Sequence, residues 1–203
     1  MLIEYIINFK GDYMNYPKGI KPINNNIIRY DNRGMNLESD INVTNQYYID
    51  NKIAYIYKKP TPIQVTKVDY KNNSMIIKEG FFKEPSTTDY NGLYNGLYID
   101  FEAKETTNKT SFPLSNIHNH QIEHIRHIID NGGIGFLIVS FSKLNKIFIL
   151  LGEDLINFID NNERKSIPLE YFSKYGFIVP YGYRPRLDYL KVIDKILGGS
   201  KNG

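Results

Sequence analysis

A chain of 203 residues can form one domain with a substantial core, and its 41% hydrophobic and 23% charged residues are ordinary for a globular protein. The absence of cysteine excludes disulfides and thiolate metal sites, which leaves carboxylates, histidines and carbonyls as candidate ligands. No apolar run approaches the roughly 20 residues that span a bilayer, and the N-terminus lacks a secretory signal pattern, so we expect a cytoplasmic protein without a membrane partner.

The net charge of +3 is too small to indicate a nucleic-acid binder by itself, so the distribution of the charge matters more. Residues 58–83 contain six lysines against two acids, an excess of four positive charges in one segment. A second basic set lies near the C-terminus and consists of Arg184, Arg186, Lys191 and Lys195. Lysines dispersed in this way are as typical of a solvated face as of a DNA-binding surface.

The first part of the chain is predicted to contain an arm, a helix, a strand and a long hairpin. Residues 1–33 read as a basic, flexible arm, because Pro, Gly and Asn cluster there without a sustained period. Helical spacing of apolar residues predicts a helix over 35–51, and a β-branched and aromatic run predicts a buried strand over 53–57. Alternation on both sides of a KNNS turn predicts a hairpin over 60–82. Because both of its faces are only half apolar, we expect it to project from the domain.

The rest of the chain alternates between strand and helix patterns. The Asn95-Gly96 pair, flanked by apolar runs, predicts a second hairpin over 92–105. The later predicted elements are a helix over 117–130, strands over 134–141 and 146–151, short helical or irregular pieces over 155–160 and 168–175, and an amphipathic helix over 187–199. This order of elements predicts an α/β domain in which a mixed β-sheet is flanked by helices.

Three acids and a lysine make residues 87–105 the most informative stretch. Alternate residues of a strand share a face, so Glu102 and Lys104 point the same way, roughly 7 Å apart. Asp89 lies on a segment that can return beside Glu102, and two adjacent carboxylates repel unless a cation or a proton lies between them. A hard divalent cation such as Mg²⁺ suits such oxygen ligands. Asp100 shares the Glu102 face and is a third candidate, either as a ligand or as a supporting acid.

Two interpretations of this stretch stay open at this point. An acid followed by Glu-x-Lys on a strand resembles the motif of the PD-(D/E)xK nuclease superfamily. The same pattern also fits an exposed strand with ordinary surface charges. His120 and His124 have a spacing that can hold zinc on a helix, but no HExxH pattern or third ligand accompanies them, so solvated or phosphate-facing histidines are predicted.

Longer motifs resemble the RecU family, the Holliday junction resolvases of Gram-positive bacteria. The matching segments are, in order, MNYPKG (14–19), NRGMNLE (32–38), KKPTPIQV (58–65), TTDYNG with YIDFEAKETTNKTSFPL (87–114), HNHQIEH (118–124) and GYRPRLDY (182–189). They cover nearly all of the chain except its first 13 residues. The resemblance implies a single restriction-endonuclease-like domain over 34–198, with a mixed sheet flanked by helices and the hairpin over 60–82 as a projecting stalk.

The resemblance also implies the roles of individual residues. The residues that match the family's metal ligands are Thr87, Asp89, Glu102 and Gln121. Lys104 matches the family's transition-state stabiliser, so Asp89, Glu102 and Lys104 are the predicted catalytic residues. Mg²⁺ is the implied ion, with Mn²⁺ as an alternative. Glu38 matches the family pattern in the first helix and is a weaker candidate for the edge of the site.

The function implied by the resemblance is structure-specific, metal-dependent cleavage of Holliday junctions by a symmetric homodimer in homologous recombination and DNA repair. The implied partners are four-way junction DNA, a second copy of the chain, the RecA recombinase and the RuvAB branch-migration motor. The candidate DNA contacts are Arg29, Arg33, Lys58, Lys59, Lys67 and Lys71. Two alternatives stay open: a superfamily nuclease that cuts linear duplex equally well, and a non-catalytic or regulatory DNA-binding recombination protein that modulates the RecA recombinase.

Overall fold

The computed structural model describes residues 36–71, 74–83 and 87–199. The predicted basic arm, with Arg29 and Arg33, lies outside these residues. The helices of the described residues are α1 (Leu37–Asp50), α2 (Asn119–Asp130), α3 (Gly152–Asn161), α4 (Leu169–Tyr175) and α5 (Tyr189–Gly199). The strands are β1 (Tyr55–Lys58), β2 (Ile63–Lys71), β3 (Ser74–Phe82), β4 (Tyr90–Tyr94), β5 (Leu97–Thr106), β6 (Ser111–Pro113), β7 (Ile134–Phe141), β8 (Lys146–Leu151), β9 (Ser166–Pro168) and β10 (Phe177–Ile178). No helix within these ranges has both the length and the apolar character needed to span a membrane.

Six strands form one mixed sheet in the order β1-β4-β5-β7-β8-β10. β5 and β7 run parallel, and the other neighbouring strands of this sheet run antiparallel. β2 with β3, and β6 with β9, form two separate two-stranded sheets. The prediction of an α/β domain with a mixed sheet is therefore confirmed, and β5 lies inside that sheet between β4 and β7.

Each face of the six-stranded sheet has its own apolar layer. In the first layer, Ile41 of α1 packs with Phe101 of β5 and Phe136 of β7. In the second layer, Ile125 of α2 packs with Leu137 of β7. Successive side chains of a strand point to opposite faces. Because Phe101 faces the first layer, the residues on either side of it face the second layer and α2.

The turn between β4 and β5 follows the sequence prediction. Asn95 and Gly96 have φ angles of 49° and 78°, the left-handed conformation that a two-residue hairpin turn needs. This turn lets β5 return beside β4 and fixes the register of the two strands. The register sets Tyr90 opposite Phe101.

The prediction of a buried strand over 53–57 is wrong. β1 is an edge strand that pairs with β4 on one side, and within it Ile56 is buried while Tyr55 and Tyr57 are exposed. An edge strand covered on one face buries alternate residues, whereas the β-branched and aromatic composition suggested burial throughout.

β2 and β3 form a hairpin whose strands pair from Ile63 opposite Phe82 to Lys71 opposite Ser74. Nearly every residue of both strands is exposed. Large side chains are included, since Tyr70 is 74% exposed and Phe82 is 73% exposed. So many exposed apolar side chains on one element are unusual for a surface that meets only water.

Candidate active site

Strand β5 carries two acids that are completely buried. Asp100 and Glu102 are each 0% exposed, and the Lys104 side chain two residues further on is 22% exposed. They share one face because they alternate along β5. On that face the Tyr98 hydroxyl donates to Asp100 at 3.0 Å, and Nζ of Lys104 lies 2.8 Å from Oε1 of Glu102. An exposed strand with ordinary surface charges is therefore excluded, since buried charges need specific partners.

The Glu102 carboxylate has one hydrogen-bonded oxygen and one that lacks an aligned donor. Oε2 accepts a hydrogen bond from the backbone N–H of Asp89 at 3.0 Å. Oε1 lies at ion-pair distance from Lys104, yet no residue in the described part of the chain gives it an aligned hydrogen bond. Burial raises the pKa of Glu102 from 4.5 to about 7, a rise that Lys104 opposes and the charge of Asp89 increases. A buried carboxylate beside a second carboxylate fits the role of a cation ligand.

The segment 87–89 leads into β4 and brings Asp89 to Glu102. Because Tyr90 lies opposite Phe101 in the antiparallel pair, the preceding residue of one strand meets the following residue of the other. Asp89 is therefore the cross-strand neighbour of Glu102, as their hydrogen bond shows. Asp89 is only half-buried, so its side chain is accessible to a ligand from solvent.

The other two predicted ligands, Thr87 and Gln121, have hydrogen bonds of their own. Gln121 is buried on α2, and its Oε1 accepts from the backbone N–H of His118 at 3.0 Å as part of a capping box. An amide oxygen has two lone pairs, so this bond leaves one of them free. The Thr87 hydroxyl donates to the carbonyl of Thr88 at 3.3 Å and keeps its own lone pairs. Both oxygens therefore retain the capacity to serve as ligands.

Asp100 is surrounded by partners from four other residues. Its Oδ1 accepts from the hydroxyl of Thr88. Its Oδ2 accepts from Nζ of Lys59 at 2.7 Å and from the Tyr98 hydroxyl at 3.0 Å, and it lies 3.2 Å from Nε2 of His124. These partners satisfy the carboxylate without a metal ion, and the Lys59 ammonium supplies its counter-charge. The sequence predicts the face on which Asp100 lies but not this network, because only Tyr98 is close to it along the chain.

The remaining predicted DNA contacts lie on exposed parts of the chain. Lys58 forms an ion pair with Glu38 at 2.6 Å, and both side chains are well exposed. Lys67 forms a longer pair of 3.4 Å with Glu79 across the hairpin, and Lys71 is exposed at the end of β2. Exposed ion pairs of this kind are weak, so these lysines can exchange a carboxylate for a phosphate at little cost.

The candidate ligands for a metal ion are oxygens of three types: carboxylate, hydroxyl and amide. Within residues 36–71, 74–83 and 87–199, no group of three or more His, Asp or Glu side chains could hold an ion by itself. The rings of His118, which caps α2, and His120 stack with their centroids 5.4 Å apart, and Nε2 of His124 lies 3.2 Å from Asp100. Two carboxylates supplemented by neutral oxygens and water suit Mg²⁺, which keeps several waters when it binds to protein.

A mixed α/β sheet whose interior strand carries Glu-x-Lys beside a second carboxylate is the arrangement of the PD-(D/E)xK class of nucleases. The family model described as RecU, Recombination protein U, matches residues 32–195. This chain belongs to the RecU family, and the resemblance carried by its motifs is thereby confirmed.

Curated relatives are similar along nearly their whole length. The Holliday junction resolvase RecU of Geobacillus sp. (strain WCH70) is 51% identical over 183 residues, which cover 88% of this chain and 90% of that protein. The Holliday junction resolvase RecU of Pediococcus pentosaceus is 50% identical over 195 residues, with coverages of 90% and 97%. The solved structure of Hjc, a Holliday junction resolvase from Archaeoglobus fulgidus, matches with a TM-score of 0.38 at 8% identity over 66% of this chain and 90% of that chain, a likeness too low to bear on function.

Proposed function

We propose that this protein is a structure-specific endonuclease that resolves Holliday junctions in homologous recombination and DNA repair. Relatives named Holliday junction resolvase RecU are 50–51% identical to it and are matched over 90% or more of their own length. The observation that carries the proposal is the Glu102 carboxylate, which is buried on an interior strand with Asp89 opposite and the Lys104 ammonium 2.8 Å away. A carboxylate buried in this way destabilises the metal-free fold. Such a carboxylate is typical of a metal ligand.

We assign the divalent cation to a set of oxygens on three segments of the chain. The set consists of Thr87, Asp89, Glu102 and Gln121. When bound, Mg²⁺ or Mn²⁺ supplies Lewis-acid activation of the scissile phosphate and of the attacking water. The protein's own part is to hold the ligands in place. The register of β4 against β5 sets the two carboxylates opposite each other, and the N–H of Asp89 orients Oε2 of Glu102.

Lys104 supplies a positive charge where negative charge grows on the phosphate during cleavage. Its side chain is 22% exposed, so the ammonium lies at the boundary between the buried Glu102 carboxylate and solvent. A preorganised cation at such a boundary stabilises the transition state without first having to be ordered. By analogy with the superfamily, the products are nicks with 5′-phosphate and 3′-hydroxyl ends.

Two active sites related by symmetry suit a junction in which two strands are cut. A C2 homodimer offers such a pair of sites. We assign the hairpin of β2 and β3 as the stalk that enters the open centre of the junction, with Lys67 and Lys71 near phosphates. The exposed apolar side chains of the hairpin, Tyr70 and Phe82 among them, favour burial against a protein surface, which a second copy would supply. The RecA recombinase and the RuvAB motor are further proposed partners, and the cytoplasm is the proposed compartment.

Selective cleavage of a synthetic four-way junction is the first expected result. In Mg²⁺, we expect the junction to be cut at least about tenfold faster than a linear duplex built from the same arms, because shape positions the scissile phosphates. Denaturing gels with each strand labelled in turn measure the rate and the symmetry of the two nicks.

Asp89→Ala is the matched control for this assay, and undiminished cutting by this variant would contradict the metal assignment. Comparable cutting of linear duplex would favour a less selective nuclease of the same class. Junction binding without any cutting would favour the non-catalytic alternative, a protein that modulates the RecA recombinase.

Deletion of residues 62–80 with a short Gly-Ser closure is expected to abolish junction binding and to leave the fold intact. β2 and β3 pair with each other and not with the six-stranded sheet, so their removal leaves the two apolar layers in place. Circular dichroism melts check the fold, and gel-shift titrations over a range of salt check the affinity. Junction affinity equal to that of the intact chain would refute the stalk assignment.

A further inference from the structure

Lys59 lies where the hairpin meets the candidate active site. It follows β1 and precedes β2, and its backbone N–H donates to the carbonyl of Asp89 at 2.7 Å. Its ammonium donates to Asp100 at 2.7 Å and to the Thr88 hydroxyl at 3.0 Å. One residue at the base of the hairpin therefore holds the segment that carries Asp89 by both its backbone and its side chain.

The position of the Lys59 ammonium does not suit a phosphate contact. The Lys59 side chain is 17% exposed, whereas the side chain of its neighbour Lys58 is 38% exposed. The carboxylate that Lys59 neutralises, Asp100, is completely buried. Moving the ammonium outward to DNA would leave a buried charge without a counter-charge, and such a loss is strongly unfavourable.

The Asp100 carboxylate joins the three parts of the chain that carry predicted ligands. It stands on β5 itself, and its Oδ1 accepts from Thr88, the neighbour of Asp89. Its Oδ2 lies 3.2 Å from Nε2 of His124, which is three residues after Gln121 on α2. The lengths and directions of these bonds set how far apart the segment before β4, strand β5 and helix α2 lie.

We propose that Lys59 and Asp100 form a positioning pair, which holds the Asp89 segment, β5 and α2 at the spacing that the cation requires and links the base of the hairpin to the cleavage site. The proposal deepens the proposed function and rests on it for the cleavage measurement. It also changes the interpretation of Lys59, which the sequence predicts as a DNA contact. Groups that orient metal ligands without touching the metal typically change metal affinity or activity 10–100-fold when they are replaced.

Lys59→Met tests the pair, and Lys58→Met on the neighbouring residue is the comparison. For Lys59→Met, we expect kcat for junction cleavage to fall about 10–100-fold with KM nearly unchanged, and the Mn²⁺ affinity of the protein to weaken at least about tenfold by calorimetry. For Lys58→Met, we expect a higher KM, an unchanged kcat, and a salt slope of junction binding smaller by about one. The salt slope of Lys59→Met should equal that of the wild type, because a positioning residue releases no counterions.

A double variant distinguishes the loss of ligand positioning from a loss of protein stability. Lys59→Met alone leaves Asp100 without its counter-charge, whereas Lys59→Met with Asp100→Asn removes both charges and is expected to melt near the wild-type temperature. The double variant should keep the low kcat and the weak Mn²⁺ binding. The proposal would be overturned if the double variant had the wild-type kcat and Mn²⁺ affinity while Lys59→Met had a reduced salt slope. That result would assign Lys59 to DNA binding.

Calorimetry with Mn²⁺ separates this proposal from the proposed function. A wild-type chain that binds Mn²⁺ but cuts no junction would count against junction resolution. The Mn²⁺ affinities of the variants would still decide whether Lys59 and Asp100 position the ligands, since that measurement requires no cleavage.

Discussion

Glu102→Gln is expected to stabilise the metal-free protein against unfolding and, at the same time, to abolish junction cleavage. Burial raises the pKa of Glu102 from 4.5 to about 7, so the ionised carboxylate disfavours the folded state at neutral pH. An amide of the same shape removes that penalty, on the order of 1–3 kcal/mol. It also removes the anionic oxygen assigned to the cation, so cleavage should fall by at least about 10²-fold and Mg²⁺ should no longer raise the melting temperature.

The pH dependence of the free energy of unfolding tests whether the ionised Glu102 carboxylate destabilises the metal-free protein. A carboxyl group whose pKa is higher in the folded state contributes stability at low pH, and that contribution is lost as the pH rises through the folded-state pKa. For Glu102, the window runs from 4.5 to about 7. Urea unfolding of chelator-treated protein across this window measures the loss, which Glu102→Gln should not show. Parallel stability curves for wild type and variant would contradict the prediction.

Asp100→Asn is the matched control, because Asp100 is equally buried on the same strand. Here the stability of the metal-free protein should decrease, by about 2–4 kcal/mol, since the Lys59 ammonium would lose its counter-charge. A stabilising Asp100→Asn substitution would show that the four partners of this carboxylate do not compensate its burial. The opposite changes in the stability of the metal-free protein thus distinguish the two buried acids: Glu102 costs stability without a bound ion, whereas Asp100 contributes stability through its partners.

Lys104→Ala is expected to produce the second large effect, a decrease of about 10²–10³-fold in the single-turnover rate of junction cleavage. The physical reason is the loss of a preorganised cation beside the site where phosphate charge develops. Junction affinity should change by less than about threefold, because a single partly buried charge adds little to a contact made by many phosphates. The pKa of Glu102 should rise further in this variant, since Lys104 lowers it in the wild type.

Lys146→Ala provides the control for the removal of a lysine. Lys146 is exposed at the start of β8 and should retain wild-type cleavage when it is replaced. Rapid-quench cleavage and gel shifts on the same junction separate rate from affinity for both variants. A Lys104→Ala enzyme that cuts at the wild-type rate would remove this residue from the proposed mechanism.

Much of the fold could be predicted where the local pattern is long and strong. β7 and β8 begin and end at the predicted residues, because short continuous apolar runs bounded by turns are typical of buried strands. β6, β9 and β10 were missed, since strands of three or two residues are too short to show a period. The burial of β1 was overestimated, because composition does not reveal that a strand lies at the edge of a sheet.

The sequence by itself determined which residues of β5 share a face, because the two-residue period of a strand is local and needs no knowledge of the rest of the chain. It also carried the motifs by which the chain belongs to the RecU family. Only the tertiary structure decided that Asp100 and Glu102, two residues apart and equally buried, have different surroundings. Three of the partners of Asp100 stand 12, 24 and 41 residues away, whereas Glu102 keeps an oxygen without an aligned donor among the described residues. Hydrogen bonds between such distant residues exist only once the strands, α2 and the base of the hairpin have packed together, and they leave no trace in local spacing.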